Sequence, residues 1–295
     1  MHRRTFTRLA AALPLASALS RPVQAFSPSV PEKNGLGLQL WTVRNQLQED
    51  AAKTLKSVAE AGYKQVELMN VMESSDLVAM AKDNGMKVLS AFINWESIAS
   101  PSKNTPSVEE IIAKAKDFGL EYIVFGYIGK NARDTADKIK KIAEATNKAA
   151  STAKEAGLKL SYHNHSFEFE KLDGGATAFE IFMERFDSKL VNFELDVFWA
   201  AIGGWDPIDT LEKLGKRTGQ VHLKDLKANT PTNYDEGTVP EDAFQEVGDG
   251  TLDMKKIMQV AIENGVDQFH VEQDQSPDPI ESIQQSSKYI TANLW

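Results

Sequence analysis

The run LKLSYHNHSFEFE, residues 158–170, places His163 and His165 two positions apart and Glu168 three further on. Imidazoles beside a carboxylate suit metal coordination or proton transfer near neutral pH. Downstream, ELDVFW carries Asp196, VHLKD carries His222 and Lys224, and HVEQD carries Glu272. Of the five histidines in the chain, only His2 and the four in these runs exist, so the clustering is complete apart from the N-terminus. There is no cysteine, which excludes disulfides, thiolate metal sites and thiol nucleophiles. A metal would be held by nitrogen and oxygen, as suits zinc, manganese, magnesium or cobalt better than copper(I) or iron–sulfur.

Short apolar runs must position these groups. Candidate strands cover residues 35–43, 64–69, 87–94, 121–128, 159–165, 191–199, 220–226 and 267–273, with amphipathic helical patterns between them. Side chains alternate between the two faces of a strand. In the fifth strand Leu160 and Tyr162 share one face, and Ser161, His163 and His165 the other. The sixth opposes Phe193, Leu195 and Val197 to Asn192, Glu194 and Asp196. The seventh opposes Val221 and Leu223 to His222 and Lys224; the eighth opposes Phe269 and Val271 to His270 and Glu272. The apolar faces must meet helices, so the polar faces converge. An inward charge is costly unless it is paired or binds a metal. Glu194 and His270 lie one layer deeper and read equally as hydrogen-bonded core groups. Glu67, inward on the second strand, is either structural or a substrate contact.

Eight strands, each followed by a helix, predict an α/β protein with a closed (β/α)8 TIM barrel, whose chemistry sits at the C-terminal strand ends. An open doubly wound sheet is the alternative, but no Gly-rich phosphate loop follows any strand. Gly62, Gly85, Gly119, Gly157, Gly219 and Gly265 stand where helices should stop, as left-handed caps require. No Pro-, Gly- or Ser-rich linker divides the chain, so residues 35–295 read as one domain after a linker at 26–34. The irregular stretch 228–250 follows the seventh strand and is expected to overhang the catalytic face.

Residues 1–25 have paired Arg3 and Arg4, an apolar middle and a small-residue ending at Ala25. That layout is a cleavable signal peptide of twin-arginine type, implying a periplasmic or secreted protein. Its apolar run is too short for a stable membrane span. Cleavage removes four arginines and no acid, taking the formal charge from −9 to −13. Such acidity disfavours nucleic acid as a partner. Composition says nothing about the oligomeric state.

GLGLQLWTVRNQLQEDAAKTLKSVAEAGYKQVEL resembles the opening of the xylose isomerase-like TIM-barrel superfamily, the sugar phosphate isomerase/epimerase group. YHNHSFEF, ELDVFW, VHLKD and HVEQD resemble its later strand motifs, in the same order. The resemblance implies one divalent cation (Mn2+, Mg2+, Co2+ or Zn2+) held by Asp196, His222 and Glu272, with Glu168 as the strand-five ligand. His163 is the alternative ligand, nearer the place where relatives carry that glutamate. It also implies enediolate chemistry on a small sugar substrate. His163, His165, Glu168 and Glu272 are then candidate proton carriers, and Lys224 a candidate oxyanion partner. Arg44 is a candidate for an anionic or hydroxylated substrate end, and Trp41 and Trp199 for the apolar face of a sugar ring. Ketose epimerases of the group carry histidine at the position of Trp199, which here becomes an aromatic wall. Isomerase, epimerase and lyase outcomes all follow from one enolate. A carbohydrate-binding barrel without catalysis is the reading from another class. A trinuclear zinc nuclease would need more histidines than this chain has.

Overall fold

The computed structural model describes residues 34–294, so the expected signal peptide at 1–25 and most of the expected linker lie outside the described residues. Parallel strands β1 (Leu36–Gln39), β2 (Gln65–Leu68), β3 (Lys87–Phe92), β4 (Tyr122–Phe125), β5 (Lys159–His163), β6 (Val191–Asp196) and β7 (Thr218–Leu223) form most of a barrel. Two short strands, β8 (Asp225–Leu226) and β9 (Phe244–Gln245), make a separate antiparallel ribbon. The last strand, β10 (Phe269–Val271), pairs with both β7 and β1 and closes the ring. The (β/α)8 TIM barrel is the architecture.

Helices cover the outside because each strand turns its apolar side chains outward. Leu38, Val66, Ile123, Leu160, Leu195, Val221 and Phe269 are all fully buried between barrel and helices. Helix starts follow local chemistry. Ser107 caps the helix Val108–Phe118 by a reciprocal bond with Glu110, as Thr177 and Glu180 do for the helix Ala178–Arg185. Both satisfy backbone N–H groups that the first helical turn leaves without partners.

Two expectations need correction. The strands end earlier than the apolar runs suggest. After Gln39 the chain enters a 3-10 turn, Leu40–Val43, and after Asp196 a short helix, Val197–Ile202. Asp196 itself ends the sixth strand, since its Oδ1 accepts from Trp199 N at 2.9 Å. Gly219 does not cap a helix. It lies within β7, where an added Cβ would stand 3.0 Å from Asn192 Cβ. The positive-φ glycine that ends the preceding helix is Gly215, with φ 53° and ψ −133°.

The stretch after β7 does overhang the C-terminal end of the barrel. Glu236 is fixed there by Arg133 Nη2, 2.8 and 2.9 Å from its two oxygens, and by Tyr127 Oη at 3.2 Å. Among the described residues, no helix is long and apolar enough to cross a membrane.

Candidate active site

Of the inward polar residues expected on the last four barrel strands, all but His165 and Asn192, which are partly exposed, are buried, and the register brings them side by side. Asp196 pairs with His222 across β6 and β7, and His222 with His270 across β7 and β10. Ligand atoms of His163, Asp196, His222 and Glu272 all lie within 4.8 Å of one another. His222 Nδ1 faces Glu272 Oε2 at 3.3 Å and Asp196 Oδ2 at 3.9 Å. Two imidazoles and two carboxylates are a donor set suited to zinc or a related divalent ion. His163 Nδ1 and Asp196 Oδ2 have no hydrogen-bond partner among the described residues. Buried polar atoms are ordinarily satisfied, so these orphan atoms fit a metal at that place.

Glu168 is elsewhere, and this corrects the expected ligand set. The chain turns after His165 into a 3-10 turn, Phe167–Phe169. There Glu168 accepts from Tyr162 Oη at 2.6 Å and from His165 N at 2.9 Å. Its carboxyl therefore sits on the Tyr162 side of the fifth strand and braces the turn. His163 takes the strand-five place in the cluster. Burial raises the Glu168 carboxyl to about 8, against the opposing pull of Tyr162 and Arg133.

Lys224 also departs from its expected role. It is wholly buried, donates to Glu272 Oε2 at 2.7 Å and to Asp274, and lies 3.2 Å from Asp196 Oδ2. With three carboxylates around its ammonium, it serves as their counter-charge and does not line the cavity. Burial opposes its charge, but Asp196, Asp274 and Glu272 hold it well above the usual lysine range. Burial also raises Glu272, yet Lys224 and His222 prevail and keep it well below the usual carboxylate range.

Above the cluster opens a cavity of about 500 Å³, within the range of about 300–1,000 Å³ usual for small-molecule sites. His163, His165, Glu272, Trp41, Arg44 and Trp199 reach its lining, and Glu67 does not. Glu67 lies beneath, with Oε1 2.8 Å from His222 Nε2 and also accepting from Gln39 at 2.7 Å. The His165 ring stacks on Phe167 and lies 5.3 Å from Trp199. Burial, then the Lys224 charge, lowers its imidazole to about 4, so it is neutral at physiological pH. Trp41 is 45% exposed at the mouth, with the Arg44 guanidinium 4.4 Å from its ring centre. That guanidinium donates to the Trp41 carbonyl at 2.8 Å and the Asp274 carbonyl at 3.0 Å.

Sequence reading missed Asp274, Tyr127, Phe92 and Glu236 in the lining. Asp274 had a signal, standing two residues beyond Glu272 just after β10. Phe92 ends the third strand and Tyr127 follows the fourth, where apolar runs hide which residue reaches the mouth. Glu236 sits in a loop, and no strand periodicity marks it.

Comparison with known proteins agrees with this architecture. Inosose dehydratase of Clostridium perfringens is 26% identical over 271 residues, covering 80% of this chain and 87% of that protein. A crystal structure of a sugar phosphate isomerase/epimerase from Parabacteroides distasonis superposes with a TM-score of 0.72 at 26% identity, covering 92% of this chain and 99% of the other. The zinc-containing IOLI protein, 17% identical, shares the fold with a TM-score of 0.63 over 88% of this chain and 97% of its own. The family model described as xylose isomerase-like TIM barrel matches residues 55–292. That match spans β2 to the final helix and includes every member of the His163, Asp196, His222 and Glu272 cluster, so the chain belongs to the xylose isomerase-like TIM-barrel family.

Proposed function

We propose that this protein is a divalent-metal-dependent enzyme that removes a proton alpha to the carbonyl of an uncharged keto sugar or keto-glycoside. One observation carries the reading: four buried metal-competent side chains stand directly beneath a cavity whose wall holds the neutral base His165. A divalent ion held by His163, Asp196, His222 and Glu272 would supply a Lewis acid for a carbonyl and its neighbouring hydroxyl. The dehydratase and isomerase/epimerase names borne by its relatives support the same chemistry.

The chain's own residues divide the remaining work. His165, free of a proton above pH about 4, accepts the proton from carbon. Trp199, Phe92 and Phe244 keep bulk water from the enolate. Asp274, on the opposite wall, has its carboxyl raised to about 6 by burial against the pull of Lys224, and serves as the second proton carrier. Reprotonation gives an isomer or epimer. Expulsion of a beta substituent gives a dehydrated sugar or a cleaved glycoside. The aromatic lining from Trp41 to Phe244 favours the second course, because it offers a place for an apolar leaving group.

A phosphorylated substrate fits poorly. The cationic side chain in the cavity lining, Arg44, already donates to two carbonyls, and the same lining carries the acids Glu236, Glu272 and Asp274. Export by residues 1–25, also a proposal, agrees with an unphosphorylated substrate. The test is NMR of the purified protein in deuterated water with keto sugars and 3-keto-glycosides, with and without EDTA. The expected result is chelator-sensitive exchange or elimination. Absence of both across the panel rejects the proposal.

A further inference from the structure

Below the first cluster lies a second one that the proposed reaction does not use. Glu67, Glu194, His222 and His270 offer ligand atoms within 4.8 Å of one another, and all four side chains are wholly buried. Glu194 Oε1 and Oε2 and both ring nitrogens of His270 lack a hydrogen-bond partner among the described residues. Four such orphan atoms in one small space are far outside the usual pattern for buried polar groups. The fold makes room for them deliberately. At Gly37 on β1, an added Cβ would stand 2.2 Å from His270 Cδ2, so glycine there admits the imidazole.

The spacing suits coordination. Bonds of about 2.1 Å in a tetrahedral zinc site put neighbouring ligand atoms about 3.4 Å apart. His222 Nε2 lies 3.4 Å from Glu194 Oε1 and 2.8 Å from Glu67 Oε1, and His270 Nδ1 lies 3.9 Å from Glu194 Oε1. Charge points the same way. Carboxylates of Asp196, Glu272 and Asp274 gather around the ammonium of Lys224, whereas those of Glu67 and Glu194 face His222. A cation between Glu67 and Glu194 would supply the compensation that buried carboxylates demand.

We propose that the barrel interior binds a second divalent cation through Glu67, Glu194, His222 and His270, with His222 bridging the two sites as the imidazolate, its remaining ring proton passing to solvent when both ions are bound. Nδ1 of His222 serves the upper site and Nε2 the lower. The lower ion does not reach the cavity; it fixes the His222 ring and supplies the positive charge that the carboxylates lack.

The experiment is zinc loading of the EDTA-stripped protein, read by elemental analysis after dialysis and by titration with Co2+ followed by visible absorption. The wild type should take up two equivalents in two resolved steps. Glu194→Gln and His270→Gln should each fall to one, Asp196→Asn should also keep one, and His222→Ala should bind none. A single equivalent in the wild type overturns the second site and leaves the proposed function standing. Two equivalents retained by Glu194→Gln overturn the ligand assignment. No bound metal at all rejects both the second site and the catalytic reading. Should a variant fail to fold, the wild-type stoichiometry and the number of Co2+ steps still decide.

Discussion

His222 Nε2 lies 2.8 Å from Glu67 Oε1, with both side chains wholly buried. The contact fixes which ring nitrogen faces Asp196 and Glu272. It also explains the Glu67 carboxyl, which burial pushes up but His270 and His222 pull down to about 2. Outer partners of metal-binding histidines typically contribute about 10–100-fold in metal affinity. Glu67→Gln should weaken cation binding at the upper cluster by that factor, as measured by competition with a calibrated chelator, and should also cost the lower equivalent, of which Glu67 is a ligand. Affinity within twofold of the wild type would mean that Glu67 does not orient His222.

His165 is expected to move the proton without being needed to bind the metal. Its replacement by Asn should lower the turnover number about 10²–10⁴-fold, the usual contribution of a positioned base, while bound metal stays at the wild-type level. The pH profile has a definite sign. Because burial holds the imidazole near 4 and the Asp274 carboxyl near 6, the limb due to His165 should lie at about pH 4 and vanish in His165→Asn, while a limb near 6 belongs to Asp274 and should persist in that variant. A profile that His165→Asn leaves unchanged would assign the proton to another group.

Lys224 is predicted to matter most when metal is removed. Breaking a buried ion pair costs about 3–5 kcal/mol, and Lys224→Met leaves Asp196, Glu272 and Asp274 facing one another. A bound cation substitutes for the lost charge. Urea unfolding should therefore show a larger destabilisation in EDTA than in saturating metal. Equal losses in the two conditions would contradict a counter-charge role.

How much of this was legible in the sequence depends on what governed each residue. Strand alternation alone placed Asp196, His222 and Glu272 on one wall, because burial of Leu195, Val221 and Val271 leaves no other choice. Alternation says nothing once the strand stops. Glu168 lies beyond β5 in a turn whose direction is set by Tyr162 Oη and His165 N, and no periodicity encodes that. The apolar run after Asp196 reads as strand, yet one side-chain cap on Trp199 N converts it to helix. Alternation also turns Lys224 inward, but its three carboxylate partners, on β6 and just past β10, appear only when those strands flank β7.

Glu168 also predicts a pH dependence of stability. Its folded value of about 8 lies above the ordinary 4.5 because burial disfavours the charge. Folding therefore favours the protonated form. The full contribution is present below pH about 4.5, and it is lost as pH rises through about 8. The total is on the order of a few kcal/mol. Glu168→Gln imitates the protonated carboxyl, so its melting temperature should decline less than that of the wild type between pH 5 and 9. Parallel curves would show that Glu168 is ionised throughout.

The Arg133–Glu236 pair joins the overhanging loop to the barrel, and its removal should act on binding more than on chemistry. The Arg133 guanidinium lies 3.4 Å from the centre of the Phe167 ring while both Glu236 oxygens accept from it. Glu236 is thereby held over the cavity, below the usual carboxylate range despite the upward push of burial. Arg133→Met keeps much of the packing on Phe167 but frees the loop. KM should rise several-fold with turnover nearly unchanged, since His165 and the His163, Asp196, His222 and Glu272 cluster are untouched. Limited proteolysis within residues 228–250 should accelerate, and saturating substrate should slow it again. A fall in turnover with KM unchanged would assign Arg133 to the chemical step instead, through the Phe167 face on which His165 stacks.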